Sequence, residues 1–312
     1  MNPPPRFDIL GIGTIAVDDV VHVEHYPPAD QKVPVVSSSR RLGGLVGTAL
    51  AAASRLGARC AYGGVLGDDD LSAAVKRGLA EVGVDGSLLR YDARARPVYA
   101  FIVVDDRAHT RTIFYDLAGM VPLPADSMDA AWVSCARVLL TDQFGMDGAI
   151  RAAQLAGSLN IPVVADMEWP EVPGTDTLMA AVDHLIVPRD FAVAFTRKED
   201  PQAAVRQLHA VRRRSCTAVT WGDQGCYYLA GDSSRVQRQP VFPVQPVSTI
   251  GCGDVFHGAY AAALVEGRRV PECIRFASAS AAAYASRPHG WQFLPTSSDL
   301  AAVLRSPNAN GS

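Results

Sequence analysis

A short glycine-containing segment near the C-terminal end of the chain has the residue types of an anion-binding turn. Gly251, Cys252 and Gly253 lead directly into a sequence typical of a helix, whose first turn carries Asp254. The first N–H groups of a helix have no internal partners and carry partial positive charge, so they can hold a phosphate group. A carboxylate there is a poor phosphate ligand but a suitable base for a hydroxyl held beside the phosphate. The segment predicts transfer chemistry at a phosphate; the alternative is an Asp that only stabilises the dipole of its own helix.

The composition limits the classes of function that the chain can have. It has 312 residues with 29 Lys+Arg, 32 Asp+Glu and a net charge of −3, so it lacks the basic surface that nucleic-acid binding requires. No apolar run approaches the roughly 18 residues of a membrane span, and the first residues lack the features of a secretory signal. We therefore expect a cytoplasmic protein with no nucleic-acid or membrane partner. None of its lysines follows a glycine, which excludes a P-loop for ATP.

Apolar segments typical of strands alternate with segments typical of helices along most of the chain. An apolar strand is predicted over 7–13 and a small-residue helix over 45–56. Two long helices, over 255–267 and 272–286, are expected to close the chain. This alternation predicts an α/β fold with a mainly parallel sheet that is covered on both faces.

Two segments rich in β-branched residues interrupt this alternation, at about 17–41 and 96–118. The second is predicted to be a hairpin because two β-rich runs flank the polar turn DDRAHT. We expect the two segments to form a small accessory sheet that projects from the α/β core. No internal repeat and no long linker divides the chain, so a single domain over 1–312 is predicted.

Four segments resemble the signatures of the PfkB (ribokinase-like) carbohydrate kinases and occur in the family's order. Gly13 with Asp18 five residues later resembles the strand end whose Asp binds sugar hydroxyls. Gly43-Gly44 with Thr48, followed by SRLGARCAYGGVLGDDD, resembles GG-x-x-x-N and LG-x-x-x-x-x-G-x-x-G-x-D. VTWGDQG resembles V-T-x-G-x-x-G near the ATP phosphates, and G-C-G-D-V-F-H-G-A resembles D-T-x-G-A-G-D. The segments G-D-V-F-H-G-A and RFASASAAAYASRPHG are similar to the corresponding sequences of the branch that includes sulfofructose kinases.

The resemblance implies a ribokinase-like three-layer α/β/α core with a small β-sheet lid, which the two interrupting segments would form. It also implies ATP and Mg²⁺ as cofactors, a small-molecule sugar as substrate, transfer of the γ-phosphoryl group to a sugar hydroxyl, and a homodimer through the lid. Positioning and charge stabilisation carry most of the rate of such a transfer. The implied roles are Asp254 as the base, the amides of Gly251, Cys252 and Gly253 as the anion hole, Asp18, Gly43, Gly44 and Thr48 at the sugar, and Thr220, Gly222, Gly225, Arg189 and Gly290 at the nucleotide.

Positions that handle cations in the family depart from its pattern. Ser248 stands where the family has the Asp that opens D-T-x-G-A-G-D and that helps to form a monovalent-cation site in many members. Arg189 and Ala192 stand where the family has the Asn and Glu of N-x-x-E, which helps to order the waters of the metal. Asp166 ends a predicted strand, so we expect it to take part in metal binding through water. None of these departures touches Asp254, so an active kinase is expected.

Lys32 lies in the first of the two lid segments. If the lid closes over the cleft, its ammonium group can reach the far end of the acceptor and favour an anionic substituent there. The alternative is a residue that simply faces water. Arg40, Arg94 and Arg111 lie in or beside the lid strands and are alternative partners of such an anion.

Two other functions stay open from the sequence. G-I-G-T-I-A at 11–16 satisfies the dinucleotide-binding pattern G-x-G-x-x-A after a strand, which would make the protein an oxidoreductase. That pattern requires a helix next, whereas the following residues, rich in valine with two adjacent aspartates, favour a strand. The second alternative is a non-catalytic sugar- or nucleotide-binding protein with the kinase fold. The retained Asp254 argues against it, because a pure binder has little use for a base beside an anion site.

Overall fold

β-Branched strands alternate with alanine-rich helices in the computed structural model, which describes residues 4–108 and 110–305. The strands are β1 (Phe7–Ile12), β2 (Ala16–Val23), β3 (Ser37–Gly43), β4 (Cys60–Tyr62), β5 (Val65–Leu66), β6 (Arg90–Tyr91), β7 (Val98–Asp105), β8 (Thr110–Asp116), β9 (Ala136–Asp142), β10 (Val163–Asp166), β11 (His184–Pro188), β12 (Cys216–Thr220), β13 (Cys226–Ala230) and β14 (Gln237–Gln239). The helices are α1 (Leu45–Arg55), α2 (Asp70–Glu81), α3 (Ala130–Val133), α4 (Met146–Ser158), α5 (Thr175–Ala181), α6 (Arg189–Thr196), α7 (Pro201–Val211), α8 (Cys252–Val265), α9 (Val270–Ala285) and α10 (Ser297–Leu304).

Eight strands form the central sheet in the order β14-β13-β12-β11-β10-β9-β1-β4. The six strands from β12 to β4 are parallel, and at one edge β13 pairs antiparallel with both β12 and β14. Strands β10 and β11 are buried almost throughout, as their apolar sequences VVAD and HLIVP require between two layers of helices. The predicted α/β fold with a mainly parallel sheet is confirmed.

Helices cover both faces of the central sheet and give three layers. On one face, α1, α8 and α9 pack against strand residues such as Ile9, and on the other, α4 to α7 pack against residues such as Leu10. These neighbours point to opposite faces because side chains alternate along a strand. A β-carbon on Gly258 of α8 would overlap the carbonyl oxygen of Ala49 in α1. This close packing fixes α8, whose first turn carries the predicted anion site.

Four strands form a second sheet, the small sheet, in the order β3-β2-β7-β8. Strand β2 pairs antiparallel with β3 and parallel with β7, and β7 pairs antiparallel with β8. These strands lie in or next to the segments 17–41 and 96–118, for which an accessory sheet is predicted. The predicted turn DDRAHT between β7 and β8 includes His109, which lies outside the described residues.

Two helices differ from the sequence expectations. The patterns above do not predict α7, although Asp200 accepts a hydrogen bond at its start and Pro201 occupies its first turn. The two long helices do not close the chain, because α10 follows them and begins with a capping box of Thr296 and Asp299. Within residues 4–108 and 110–305, no helix is long and apolar enough to cross a membrane.

Candidate active site

The carboxyl ends of the parallel strands meet at one edge of the central sheet. Asp142 ends β9 and Asp166 ends β10, and the two residues are paired directly across the strands. Strand β1 ends at the same edge and continues into the small sheet, while β11 and β12 end nearer the antiparallel strands. Ligands of parallel α/β folds bind at this edge, so the candidate site lies here.

The turn that starts α8 offers an open backbone at this edge. Gly251 has a φ of 75°, in the left-handed region that glycine favours. The N–H groups of Gly253 and Asp254 have no hydrogen-bond acceptor within the described residues, whereas that of Cys252 lies 3.4 Å from the carbonyl oxygen of Thr249. A β-carbon on Gly253 would meet no atom within 4 Å. Asp254 is the third residue of α8, and its Oδ2 would lie 3.7 Å from a β-carbon on Gly251. Free N–H groups and a carboxylate therefore adjoin one another.

The side chain of His257 connects the start of α8 to the central sheet. Its Nδ1 lies 2.8 Å from the carbonyl oxygen of Gly253 and 3.1 Å from Oδ2 of Asp166. Its Nε2 lies 3.0 Å from the carbonyl oxygen of Ile186 in β11. The side chain is buried, and burial lowers its pKa. One imidazole thus ties α8 to β10 and β11, the elements that carry the candidate site.

Five carboxylates converge in front of the α8 turn. Burial raises the pKa of Asp254 well above its usual range, and the charges of Asp166, Glu168, Asp18 and Asp142 raise it further. Burial likewise raises the pKa of Asp142 to about 7 and that of Asp18 to about 6. A carboxyl group among other carboxylates keeps its proton to a higher pH, so Asp254 is poised as an acid–base group closer to neutrality than an isolated Asp.

Two members of this cluster, Asp142 and Glu168, are not among the predicted site residues. Asp142 accepts hydrogen bonds from the N–H of Thr14 at 2.6 Å and of Phe144 at 2.8 Å, so it also fixes the chain where β1 leaves for the small sheet. Glu168 follows β10, and the side chain of Gln143 accepts its N–H at 2.6 Å. The position of a carboxylate at or just after the end of a buried strand is the signal that could have identified both.

Asp18 and the glycine pair at the end of β3 lie together on the side of the small sheet. Asp18 is 8% exposed, and a β-carbon on Gly43 would lie 3.1 Å from its Cγ. Gly44 has a φ of 86°. Thr48 does not join them at the cleft surface, because it is 1% exposed and its hydroxyl accepts the indole N–H of Trp291 at 3.1 Å. The structure brings together Asp18, Gly43 and Gly44, and leaves Thr48 inside the packing of α1.

Four residues predicted at the nucleotide lie around the turn after β12. Thr220 ends that strand, and Gly222 and Gly225 have φ values of 56° and 91° in the turn. A β-carbon on Gly222 would meet no atom within 4 Å. Arg189 begins α6 beside this turn, with its guanidinium 5.4 Å from the ring of Trp221. These residues form one region, separated from Asp18 by the width of β11, β10 and β9.

Two further predicted site residues lie elsewhere. Gly290 follows α9 and donates its N–H to the hydroxyl of Tyr284 at 2.8 Å. Its neighbour His289 lies beside the α8 turn, since a β-carbon on Gly251 would be 3.6 Å from the Cε1 of His289. Gly290 therefore belongs to the surroundings of that turn. Lys32 is exposed in the coil between β2 and β3.

The family model described as pfkB family carbohydrate kinase matches residues 8–296. The chain belongs to this family. It is 25% identical over 300 residues to the ribokinase of Haemophilus influenzae, which covers 93% of this chain and 96% of that protein. Ribokinase from Thermotoga maritima has the same fold, with a TM-score of 0.83, 20% identity and coverage of 96% of this chain and 100% of that one. So does Arabidopsis thaliana ribokinase complexed with ribose and ATP, with a TM-score of 0.82, 22% identity and coverage of 98% and 99%.

As a pfkB family carbohydrate kinase, the protein is a phosphotransferase that acts on an alcohol group. The predicted ribokinase-like fold is confirmed by both solved structures. The dinucleotide-binding interpretation of residues 11–16 is wrong, because the chain continues into strand β2 (Ala16–Val23) where that pattern requires a helix.

The carboxylates at the candidate site fit a metal ion that is held largely through water molecules. No group of three or more His, Cys, Asp or Glu side chains in the described part of the chain is arranged to hold a metal ion directly. Mg²⁺ in kinases is commonly held by one or two carboxylates, waters and substrate phosphates. Asp166 and Glu168, which lie close enough to Asp254 to raise its pKa, fit that arrangement. Ala192, in place of the family Glu, is fully buried and offers no oxygen.

Proposed function

We propose that the protein transfers the γ-phosphoryl group of ATP to a hydroxyl group of a sugar, with Asp254 as the base. The observation that carries this proposal is the placement of the Asp254 carboxylate beside the free N–H groups at the start of α8. In the proposed site, the backbone amides of Gly251, Cys252 and Gly253 stabilise the negative charge on the transferring phosphoryl group. We place this activity in the cytoplasm, in a single kinase domain.

The reaction needs one base and precise positioning. The sugar hydroxyl oxygen attacks the γ-phosphorus, its proton passes to the Asp254 carboxylate, and the bond from phosphorus to the β–γ bridging oxygen breaks to release ADP. The raised pKa of Asp254 makes its carboxylate a stronger proton acceptor than an ordinary Asp. When bound, Mg²⁺ supplies positive charge to the phosphate oxygens, and Asp166 and Glu168 would hold it through water.

The thiol of Cys252 has no part in the proposed chemistry. Its Sγ faces away from the open backbone, 3.8 Å from the carbonyl oxygen of Ser248 and 3.7 Å from that of Ala281. Burial raises its pKa to about 12, and the charge of Asp254 adds to this rise. A thiol that stays protonated at neutral pH is a poor nucleophile, so the proposed role of Cys252 is carried by its backbone alone.

The acceptor and the nucleotide approach the α8 turn from opposite sides. We propose that Asp18 accepts hydrogen bonds from the sugar hydroxyls while Gly43 and Gly44 let the sugar approach the backbone. The nucleotide lies along the turn of Thr220 and Gly222, with Arg189 near its phosphates and Gly290 behind the α8 turn. The small sheet closes over the acceptor as a lid.

ADP formation with a panel of free, phosphorylated and sulfonated sugars tests the proposed function. Sulfonated sugars belong in the panel because of the sequence resemblance to the sulfofructose kinase branch. We expect ADP formation that depends on the sugar, that stops when EDTA removes Mg²⁺, and that yields a product heavier by one phosphoryl group. A protein that binds ATP and a sugar but forms no product with any of them would be a binding protein, and the kinase proposal would be wrong.

We also propose a homodimer through the small sheet. Its edge strand β8 is exposed along its whole length and carries Ile113, Phe114 and Tyr115, which are 46%, 51% and 60% exposed. Phe101 of β7 lies directly opposite Phe114 and is 40% exposed. An open strand edge with apolar side chains is a common pairing surface for a second chain. Light scattering should give twice the chain mass of 33.2 kDa and a monomer for Phe114→Ser; a monomeric wild-type protein would contradict the proposal.

A further inference from the structure

Two arginines of the small sheet project from the same face as Asp18. Arg41 of β3 pairs directly with Asp18 of β2. Asp18 also pairs with Ala100 of β7, which pairs with Tyr115 of β8. Arg111 lies on β8 four residues before Tyr115. Residues paired across strands share a face, and so do residues an even number of positions apart along a strand, so Asp18, Arg41 and Arg111 face the same way.

The charges of both arginines reach the start of α8. Burial lowers the pKa of His289 to about 4, and the charges of Arg41 and Arg111 act in the same direction. His289 lies beside Gly251, in the turn proposed to hold the phosphoryl group. Burial raises the pKa of Cys252 to about 12, and the charge of Arg111 opposes that rise. Both guanidinium groups therefore lie near enough to the α8 turn for their charges to act on residues beside it.

The other three cations singled out in the sequence are paired with carboxylates or lie outside the paired strands. Arg40 donates two hydrogen bonds of 2.7 Å to Asp19, on the opposite face of the sheet from Asp18. Arg94 pairs with Asp92 at 2.7 Å, and its side chain is 83% exposed. Lys32 lies exposed in the coil between β2 and β3. Of the four sequence candidates for an anion contact, Arg111 is thus the one that the strand register places on the same face as Asp18.

Arg41 and Arg111 have no such close ion pair within the described residues, although the charge of Arg41 opposes the burial that raises the pKa of Asp18. The Nε of Arg41 donates to the hydroxyl of Ser39 at 3.0 Å, which leaves its terminal N–H groups free for another acceptor. Neither arginine forms an ion pair with a carboxylate of residues 4–108 and 110–305. A guanidinium group that faces a cleft with its terminal donors free is suited to bidentate binding of a phosphate, sulfonate or carboxylate group.

We propose that Arg41 and Arg111 bind an anionic substituent of the sugar acceptor, so that the substrate is a phosphorylated, sulfonated or carboxylated sugar. This inference rests on the proposed kinase function. The anion belongs to the acceptor because both arginines enter the cleft from the small sheet, next to Asp18. The residues proposed for ATP lie beyond β9, β10 and β11, at the turn after β12. The two guanidinium groups would also offset the repulsion that the five carboxylates at the α8 turn exert on such an anion.

Matched acceptor pairs test the proposal: fructose beside fructose 6-phosphate and 6-deoxy-6-sulfofructose, ribose beside ribose 5-phosphate, and glucose beside gluconate. We expect the wild-type enzyme to prefer the charged member of at least one pair by tenfold or more in kcat/KM. Arg41→Met and Arg111→Met should each lower kcat/KM for that acceptor by about 10- to 100-fold, as expected when a hydrogen bond to a charged group is lost. Both variants should change kcat/KM for the neutral member and KM for ATP by less than about threefold.

Arg40→Met is the matched control, since it removes the same group from the neighbouring position on the opposite face of the sheet. It should leave the ratio of kcat/KM between charged and neutral acceptors unchanged. A wild-type enzyme that phosphorylates neutral sugars as well as or better than charged ones would overturn the proposal and leave the kinase function intact. Equal losses with all acceptors, or a raised KM for ATP, would also overturn it, because the arginines would then serve the nucleotide or the transferring group.

Calorimetric binding of the same pairs without ATP separates this inference from the proposed function. If no acceptor is phosphorylated, the kinase proposal fails, and the charge preference can still be measured as a difference in affinity. Tenfold tighter binding of a charged member, lost in Arg41→Met and Arg111→Met but kept in Arg40→Met, would support the anion site. Equal affinities for charged and neutral members would overturn it.

Discussion

Adding a single methyl group at Gly43 tests whether the Asp18 carboxylate is positioned for the acceptor. A β-carbon at Gly43 would lie 3.1 Å from the Cγ of Asp18 and closer still to its Oδ2. Because relaxed contacts between carbon atoms lie near 3.5–4.0 Å, the carboxylate of Asp18 must move away by about 1 Å in Gly43→Ala. A displacement of about 1 Å in a positioning group can cost on the order of 100-fold in rate, or about 2.7 kcal/mol of transition-state stabilisation.

The assay is kcat/KM for the best acceptor of the sugar panel, with KM for ATP measured beside it. We expect the acceptor kcat/KM of Gly43→Ala to fall by about 100-fold while KM for ATP stays within about threefold. Gly157→Ala is the matched control, since a β-carbon there, within α4, would meet no atom within 4 Å. That change should leave activity unaltered and raise the free energy of unfolding by about 0.5–1 kcal/mol. An unchanged acceptor kcat/KM in a folded Gly43→Ala enzyme would show that the position of the Asp18 carboxylate does not govern acceptor turnover.

Three further outcomes follow from the site. The base Asp254 acts when ionised, and Glu168 raises its pKa, so Glu168→Gln should shift the acidic limb of the kcat/KM profile to lower pH; an unmoved limb would contradict the coupling. Ser248 offers no carboxylate to a monovalent cation, so activity should be the same within about twofold in sodium and potassium at matched ionic strength, and saturable potassium activation would count against this. Cys252→Ala should keep near-normal kcat, whereas Gly253→Val should lower it by more than tenfold by blocking the approach of phosphate, and the reverse order would exclude a backbone anion site.

Local patterns in the sequence were sufficient to predict the layers of the fold and the open turn at the start of α8. Alternation of apolar strands with helices predicts the parallel sheet, and glycines followed by Asp254 predict an open helix start. Contacts between residues far apart in the chain could not be predicted from such patterns. The hydroxyl of Thr48 is taken by Trp291, which lies 243 positions away in the chain. The choice of Arg41 over Lys32 as the cation that faces the cleft depends on the register between β2 and β3, which neither strand specifies alone.

The carboxylate cluster shows the same limit. Asp142 and Asp166 are each recognisable as residues at strand ends, but their pairing across β9 and β10 depends on the order of strands in the sheet. Glu168 lies beyond the end of β10, in a loop whose conformation is fixed by the side chain of Gln143. The raised pKa of Asp254 results from all of these neighbours together. It is a property of the assembled site and not of the G-C-G-D segment.

The turnover of Asp254→Asn on the best acceptor tests whether Asp254 is the base of the transfer reaction. The substitution keeps the shape of the side chain and removes its ability to accept the hydroxyl proton. We predict a fall in kcat by about 10²–10⁴-fold, with an unchanged melting temperature and an ATP affinity within about threefold of wild type. Asp232→Asn, at a side chain that is 94% exposed, serves as the control and should retain full turnover. A folded Asp254→Asn enzyme with near-normal kcat would contradict the assignment of Asp254 as the base.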